Sequence, residues 1–392
     1  MGTVTVLCDR VADVGGAERY WETVIPALAE RHAVRVLARE VETPAAFGAS
    51  ARAIAWADED GEPSHAAAND VAAELARDRP DVVITASVFD TAVLDIVRNA
   101  SPRWFVKIHD HRAFCPTGDR VYPQFDGTCS AAIGTPCRAA TVVHGCVHGP
   151  RPSSFRRITS RESLRDRIAN ADGVLVSSEH MRATCAVNGI VRDRIAITPP
   201  PLPDDAFASR PAPRPRRPTL LFASRLTPRK GLRSLLRALA RLTPAERPLL
   251  VVAGEGDGEQ RAARTQAERD GVAVEWRGKL NAAQLRAAID GADAVAVPSL
   301  WPEPFGLVGI EAQARGRPAI AYRVGGIGDW IDGAGIAVPR GDEAALARAI
   351  RAILLERTWS AFSAAARKRA ESYRLDAHVD RLMHILGGEP TE

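Results

Sequence analysis

The chain has 392 residues, 46% hydrophobic and 26% charged, an ordinary globular balance with room for two domains that each bury a core. A net charge of +4 is a mild surplus that suits polyanionic ligands and does not point to nucleic acid. No apolar run reaches the length of a membrane span, and Met1-Gly2-Thr3-Val4-Thr5-Val6-Leu7-Cys8 enters a strand without a basic region or cleavage site, so a signal peptide is not expected and the cytoplasm is the expected location.

Apolar strand-like runs alternate with helical patterns along the whole chain, which implies parallel α/β architecture. In the first half, strands are expected at Thr3–Cys8, Val34–Ala38, Val82–Thr85, Trp104–Ile108, Val174–Ser177 and Ile195–Pro199, with helices at Ala17–Arg31 and Ala66–Arg77. The Pro-rich stretch from Pro199 to Pro218 reads as a stiff, solvated linker, and Arg210-Pro211-Ala212-Pro213-Arg214-Pro215-Arg216-Arg217-Pro218 concentrates its charge. The pattern then restarts. Strands are expected at Thr219–Ala223, Leu249–Ala253, Val272–Trp276, Ala294–Val297, Ala319–Tyr322 and Gly335–Val338. Helices are expected at Leu232–Leu242, Glu259–Glu268, Ala282–Asp290, Glu343–Glu356, Trp359–Ser372 and Asp376–Leu386, before a frayed tail from Gly387. The implied domains are 1–203 with 376–392, a linker 204–218, and 219–375. Two doubly wound domains facing each other would leave a cleft at the carboxyl ends of their strands, where such folds bind ligands.

The most informative segment is Pro298-Ser299-Leu300-Trp301-Pro302-Glu303-Pro304-Phe305-Gly306-Leu307-Val308-Gly309-Ile310-Glu311. It reads as a strand-to-helix elbow carrying two carboxylates eight positions apart. On a helix that spacing is a rise of about 12 Å and about 80° of azimuth, which would set Glu303 at the mouth and Glu311 two turns deeper. Free backbone N–H groups near Phe305, Gly306 and Leu307 would favour an anion between them. Hydroxyls at two points with an anion between describe a nucleotide-sugar.

This pattern resembles the Glu-x7-Glu signature of retaining GT-B glycosyltransferases, in particular glycosyltransferase family 4, and further segments resembling that family follow in order along nearly the whole chain. The resemblance implies the GT-B fold: two Rossmann-like doubly wound parallel-sheet domains, the first on the acceptor side, the second binding the donor, and a last helix that crosses back onto the first. Arg225 and Lys230, in Arg225-Leu226-Thr227-Pro228-Arg229-Lys230, resemble the family's diphosphate site; a fixed guanidinium and ammonium would stabilise the leaving phosphate without a metal. Lys230 is one of only four lysines, with Lys107, Lys279 and Lys368, in a chain that otherwise uses arginine. Gly15-Gly16 resembles the family's first-domain glycine turn and lets backbone approach a ligand. Arg277, in Glu275-Trp276-Arg277-Gly278, matches the segment where members hold the base. His109, at the end of an expected strand, matches the family histidine that reaches the donor sugar. Where many members carry Pro-Glu after Gly325-Gly326, this chain has Gly328-Asp329.

Four cysteines, Cys115, Cys129, Cys137 and Cys146, fall in one long loop after His109, with His144 and His148 nearby. Structural zinc, free core thiols and disulfides all remain open, since no Cys-x2-Cys pair is present. The expected function is that of a retaining, metal-independent hexosyltransferase: it would use a UDP-sugar, or next a GDP-sugar, with an envelope glycan, glycolipid or secondary metabolite as acceptor. A nucleotide-sugar epimerase of the same fold and a non-catalytic nucleotide-sugar-binding module are the alternatives. No nucleic-acid partner is expected. Peripheral membrane contact through Arg151, Arg156 and Arg157, and a monomer or homodimer, are compatible with the resemblance.

Overall fold

The computed structural model describes residues 2–11, 15–42, 50–123, 127–147, 149–208 and 212–387. The chain forms two compact units, Met1–Pro201 with Leu375–Glu392, and Leu202–Arg374.

The first unit runs β1 (Thr3–Val11), α1 (Gly16–Ala29), β2 (Ala33–Val41), β3 (Ser50–Ala53), α2 (His65–Asp78), β4 (Val82–Ala86), α3 (Thr91–Ala100) and β5 (Trp104–Ile108). It continues through a short hairpin, β6 (Val121–Tyr122) with β7 (Gly127–Thr128), then α4 (Thr135–His144), α5 (Arg151–Ile168), β8 (Gly173–Val176), α6 (Glu179–Val187) and β9 (Ile195–Ile197). Seven strands form one parallel sheet in the order β3-β2-β1-β4-β5-β8-β9, so the winding reverses between β1 and β4. Strands β4, β5 and β8 are buried on both faces, which is why they read as near-continuous apolar runs, broken by Thr85 and Lys107, rather than alternating ones.

The second unit runs β10 (Thr219–Ala223), α7 (Leu232–Ala240), β11 (Leu249–Ala253), α8 (Asp257–Asp270), β12 (Val274–Gly278), α9 (Ala282–Asp290), β13 (Ala294–Val297), α10 (Leu307–Ala314), β14 (Ala319–Arg323), α11 (Gly328–Ile331), β15 (Gly335–Pro339), α12 (Glu343–Leu354) and α13 (Glu356–Ala370). Its sheet is parallel, in the order β12-β11-β10-β13-β14-β15, reversing between β10 and β13. On α7, Leu232, Leu235, Leu236 and Leu239 follow the spacing of one helix face, and all four are buried. The last helix, α14 (Leu375–Gly387), belongs to the first unit: Val379, Leu382 and Leu386 lie in one core with Trp21, Val24 and Leu28 of α1.

Three expectations need correction. The stretch after His109 is not one irregular loop, since the hairpin and α4 lie within it. The linker's Arg214 is no solvated charge: its guanidinium sits 2.6 Å from the buried Asp293 carboxylate and over the Trp359 ring. Arg317, fully buried, donates to the carbonyls of Ala212 and Pro213, so this part of the segment is bound to the second unit; Arg210 and Pro211 lie outside the described residues, as does the tail after Gly387. The third correction is the elbow. Helix α10 starts at Leu307, because Gly306 adopts φ +97° and Pro304 precedes it. Glu303 is therefore on the loop and not on the helix, and the rise and azimuth of an eight-residue helical spacing do not apply to the two carboxylates.

Candidate active site

Each reversal of strand order leaves the loops after two neighbouring strands diverging, and ligands of such sheets bind there. In the second unit those loops follow β10 and β13, and they carry Arg225, Lys230, Glu303, Phe305 and Gly306. After β10, Arg225 stands exposed at the strand end, and a single turn, Pro228–Lys230, leads into α7. After β13 comes the elbow. The two loops are sewn together through backbone: the Leu300 N–H donates to the Arg229 carbonyl at 2.7 Å. Gly231, at φ +75°, lies so close to Pro298 that an added Cβ would stand 1.9 Å from its carbonyl oxygen. On the other side, the Gly326 N–H donates to the Glu303 carbonyl at 2.7 Å, and Gly325, at φ +59°, abuts the Glu303 backbone.

The result is a fixed Glu303. Its side chain is 8% exposed, and its Oε1 is 2.6 Å from Lys230 Nζ, itself on a side chain 18% exposed. The Trp301 ring stands on the lysine too, its centroid 5.1 Å from Nζ. The structure thus brings two of the predicted residues into contact and adds a third, Trp301. Further along the elbow, the Trp330 indole donates to the Phe305 carbonyl at 2.6 Å and covers Gly309. Glu311 is half-buried on the second turn of α10. Arg277, on the outermost strand β12, pairs with Glu275 at 2.7 Å.

In the first unit, His109 follows β5, next to β4 in the sheet. Its ring packs edgewise on Tyr20, 5.1 Å between centroids, and on Trp21, 6.0 Å. Nε2 is buried without a partner among the described residues. Burial, and then the charges of Lys107 and Arg112, push its pKa well below the ordinary histidine range, so the imidazole is neutral near pH 7. Lys107 Nζ donates to the Thr198 carbonyl at 2.9 Å and its hydroxyl at 2.7 Å, and lies 4.7 Å from the Tyr20 ring centroid. The Tyr20 hydroxyl in turn bonds His378 Nε2 of α14 at 3.0 Å. Gly15 caps α1 in extended backbone and Gly16 is its first residue; residues 12–14 lie outside the described chain. This buried network went unpredicted. The one signal for it was a retained lysine in an arginine-biased chain.

The four loop cysteines are free thiols. Burial and the neighbouring Cys115, Cys129 and Cys146 push the Cys137 thiol up to about 12. Yet among the described residues no three of His, Cys, Asp and Glu are arranged to hold a metal ion. The sulfurs have other partners: Cys115 the Thr117 hydroxyl, Cys146 the Ala140 carbonyl. His144 packs on the Tyr122 ring, and His148 lies outside the described residues. The zinc reading of Cys115, Cys129, Cys137 and Cys146 is without support.

Two family models match: "Glycosyltransferase Family 4" over residues 14–206 and "Glycosyl transferases group 1" over residues 205–372. A glycogen synthase of Mycobacterium tuberculosis is 36% identical over 173 residues, 43% of this chain and 40% of that protein. A D-inositol 3-phosphate glycosyltransferase of Nocardia farcinica is 30% identical over 301 residues, 71% of this chain and 65% of that protein. The chain therefore spans less than two thirds of the curated relatives it matches. Among solved structures, Anabaena Alr3699/HepE in complex with UDP has a TM-score of 0.74 at 16% identity, covering 98% of this chain and 100% of that one, a likeness of fold. One family model on each of two parallel-sheet units with this fold makes the chain a member of glycosyltransferase family 4, of GT-B architecture.

Proposed function

We propose that the chain moves a hexose from a nucleoside diphosphate sugar, UDP-linked first and GDP-linked next, to a hydroxyl of a glycan, lipid or small-molecule acceptor. The anomeric configuration is retained and no catalytic metal takes part. The observation that carries this reading is the fixed Lys230–Glu303 pair, with an exposed Arg225 in the same loop as Lys230, at the strand-order reversal of the second unit. A Rossmann-like sheet with cations and a carboxylate at that point is equipped for a diphosphate joined to a polyol. The neighbour of like fold was solved with UDP and also with UDP-glucose.

In this reading Arg225 and Lys230 hold the diphosphate and stabilise it as it leaves. Glu303 accepts hydrogen bonds from sugar hydroxyls, and Glu311 from the ribose. Backbone at Phe305, Gly306 and Leu307 meets the phosphates, and the Arg277 segment meets the base. Gly15 and Gly16 approach the ligand through backbone. His109, neutral, positions the sugar. The bond from C1 to the β-phosphate oxygen breaks, the acceptor oxygen attacks C1 from the face the phosphate leaves, and the departing phosphate takes the acceptor's proton. The second unit serves as the donor domain and the first as the acceptor domain. No described helix is long and apolar enough to cross a membrane; a cytoplasmic protein that meets the inner membrane face peripherally through Arg151, Arg156 and Arg157 is the setting we favour.

Thermal denaturation with UDP, GDP, ADP, NAD and their sugar conjugates tests the site. A ligand at 100 times its dissociation constant adds about 2.7 kcal/mol. One nucleoside diphosphate and its conjugate should stabilise the protein, and NAD should not. Silence from every diphosphate would overturn the reading. Glu303→Gln is expected to lower turnover strongly, while Glu311→Gln mainly weakens donor binding; equal, small effects on both constants would remove these roles. Release of an altered nucleotide-sugar without any acceptor would favour an epimerase instead.

A further inference from the structure

We infer that Glu303 also acts as an internal competitor for Lys230, so that the site holds an intact nucleotide-sugar in preference to the spent nucleoside diphosphate. This rests on the donor-site reading above and gives the carboxylate a role in selection and release beyond contact with the sugar.

The pair is firmly built. Exposed lysine–carboxylate pairs wander and count for little. This one is different: both side chains are mostly buried, the contact is 2.6 Å, and both backbones are fixed. Leu300 ties the Lys230 turn to the elbow, Gly326 ties the elbow to the next loop, and neither Gly231 nor Gly325 has room for a Cβ. Trp301 flanks the ammonium and limits where it can go. Lys230 and Glu303 are therefore each other's partner by construction, in a chain that has only four lysines to place.

A diphosphate arriving beside Arg225 asks for the same ammonium. Phosphate and carboxylate repel each other across one shared cation, the more strongly as water is excluded. The ammonium turns toward the phosphate, and Glu303 is left as a buried carboxylate short of a donor, a costly state. What happens next depends on the ligand. An intact donor brings sugar hydroxyls, whose O–H groups donate to Glu303 and replace the ammonium. A bare nucleoside diphosphate brings nothing, so Glu303 draws Lys230 back and the diphosphate loses a contact. The same carboxylate that gains from the donor thus weakens the product, which helps it leave after transfer.

A carboxylate with only a structural or sugar-binding role would give a different signature. Calorimetric titration of wild type, Glu303→Gln, Glu303→Asp and Lys230→Met with UDP and UDP-glucose reads it; GDP or ADP and their glucose conjugates replace them if one of those is the diphosphate that stabilises wild type. Wild type should prefer the conjugate. Glu303→Gln should bind the bare diphosphate about threefold to tenfold more tightly than wild type, because the competitor is gone, while the conjugate gains nothing. Glu303→Asp, with its carboxylate drawn back from Lys230, should shift the same way and serves if the amide variant fails to fold. Lys230→Met should weaken both ligands. Unchanged or weaker binding of the bare diphosphate by folded Glu303 variants would overturn the competitor role while leaving the donor site standing. If wild type binds neither ligand of any pair, the donor-site reading itself fails, and this inference with it.

Discussion

Lys107 sits in an environment far from its ordinary chemistry. Burial pushes its pKa down to about 7, and its partners among the described residues are the Thr198 carbonyl and hydroxyl and the Tyr20 ring. The groups around it are His109 on β5, Tyr20 on α1 and His378 on α14, with His378 pushed down to about 3, first by burial and then by the Lys107 charge. The sign of the pH effect follows from proton counts. Between about pH 7 and the ordinary lysine range the unfolded chain holds a proton on Lys107 that the folded chain has lost. Stability therefore rises with pH across that window, by at most about 1.4 kcal/mol per unit from this one group. Buried thiols pull the other way: Cys137 and Cys185 are pushed up to about 12, so they cost stability as pH approaches their ordinary range near 9. The discriminating quantity is the difference between wild type and Lys107→Met, measured by urea denaturation from pH 7 to 8.5. That difference should move in favour of wild type as pH rises, with Lys107→Met the more favoured at neutral pH. A difference constant over the window would mean that Lys107 stays charged inside the fold. Composition had marked Lys107 and Lys230 alike as lysines kept among arginines. It could not tell that one would be buried and the other paired, because Thr198 and Glu303 lie 91 and 73 positions away in the chain.

At the scale of elements, the elbow was legible as a turn and illegible as a geometry. Pro298-Ser299 before it and Phe305-Gly306 within it announced a break between strand and helix. The fold then turned on residues well beyond the motif: Trp330, on α11, roofs Gly309 and bonds the Phe305 carbonyl, while Gln313 of α10 donates to the Trp330 carbonyl at 2.8 Å. A Cβ at position 309 would stand 2.2 Å from the Trp330 ring. Gly309→Ala should therefore displace the indole and destabilise the second unit by about 1–3 kcal/mol, with a loss of diphosphate binding larger than any loss at β12 would give. A melting temperature and a nucleotide affinity within error of wild type would show that the roof can move without consequence. The buried strands were legible for a physical reason: with both faces covered, β5, β10, β11 and β13 are near-continuous apolar runs, and their expected bounds match the observed ones. Helix α5 was missed for the converse reason. Its core-facing positions include Ser154 and Arg161 beside Ile158, Leu164 and Ile168, so the apolar stripe is broken by a buried arginine that donates to the Glu59 carbonyl at 2.6 Å.

At the scale of the whole molecule, the two units differ in how the chain builds them. Leu202–Arg374 is continuous, whereas the first unit needs Leu375–Glu392 to return to Met1–Pro201. The contacts of α14 are core contacts: Val379, Leu382 and Leu386 pack with Trp21, Val24 and Leu28, His378 bonds Tyr20, and Arg103 donates to the Leu386 carbonyl. Burying three such aliphatic side chains is worth about 5–9 kcal/mol, comparable with the whole stability of an ordinary domain. Truncation after Arg374 should therefore not merely trim an end. Hydrogen exchange on the truncated chain should find the amides of β1, β2 and α1 stripped of protection, while those of β10, β11 and β13 keep theirs, since each unit has its own core. The same experiment bears on function. If the donor site is complete within Leu202–Arg374, the truncated chain should still bind a nucleoside diphosphate and protect the loops around Lys230 and Glu303. It should fail in transfer, because His109 shares Tyr20 with the helix that was removed. Equal loss of protection in both sheets would mean that the units fold as one cooperative body, and full protection in β1 and α1 would mean that α14 is dispensable to the core it joins.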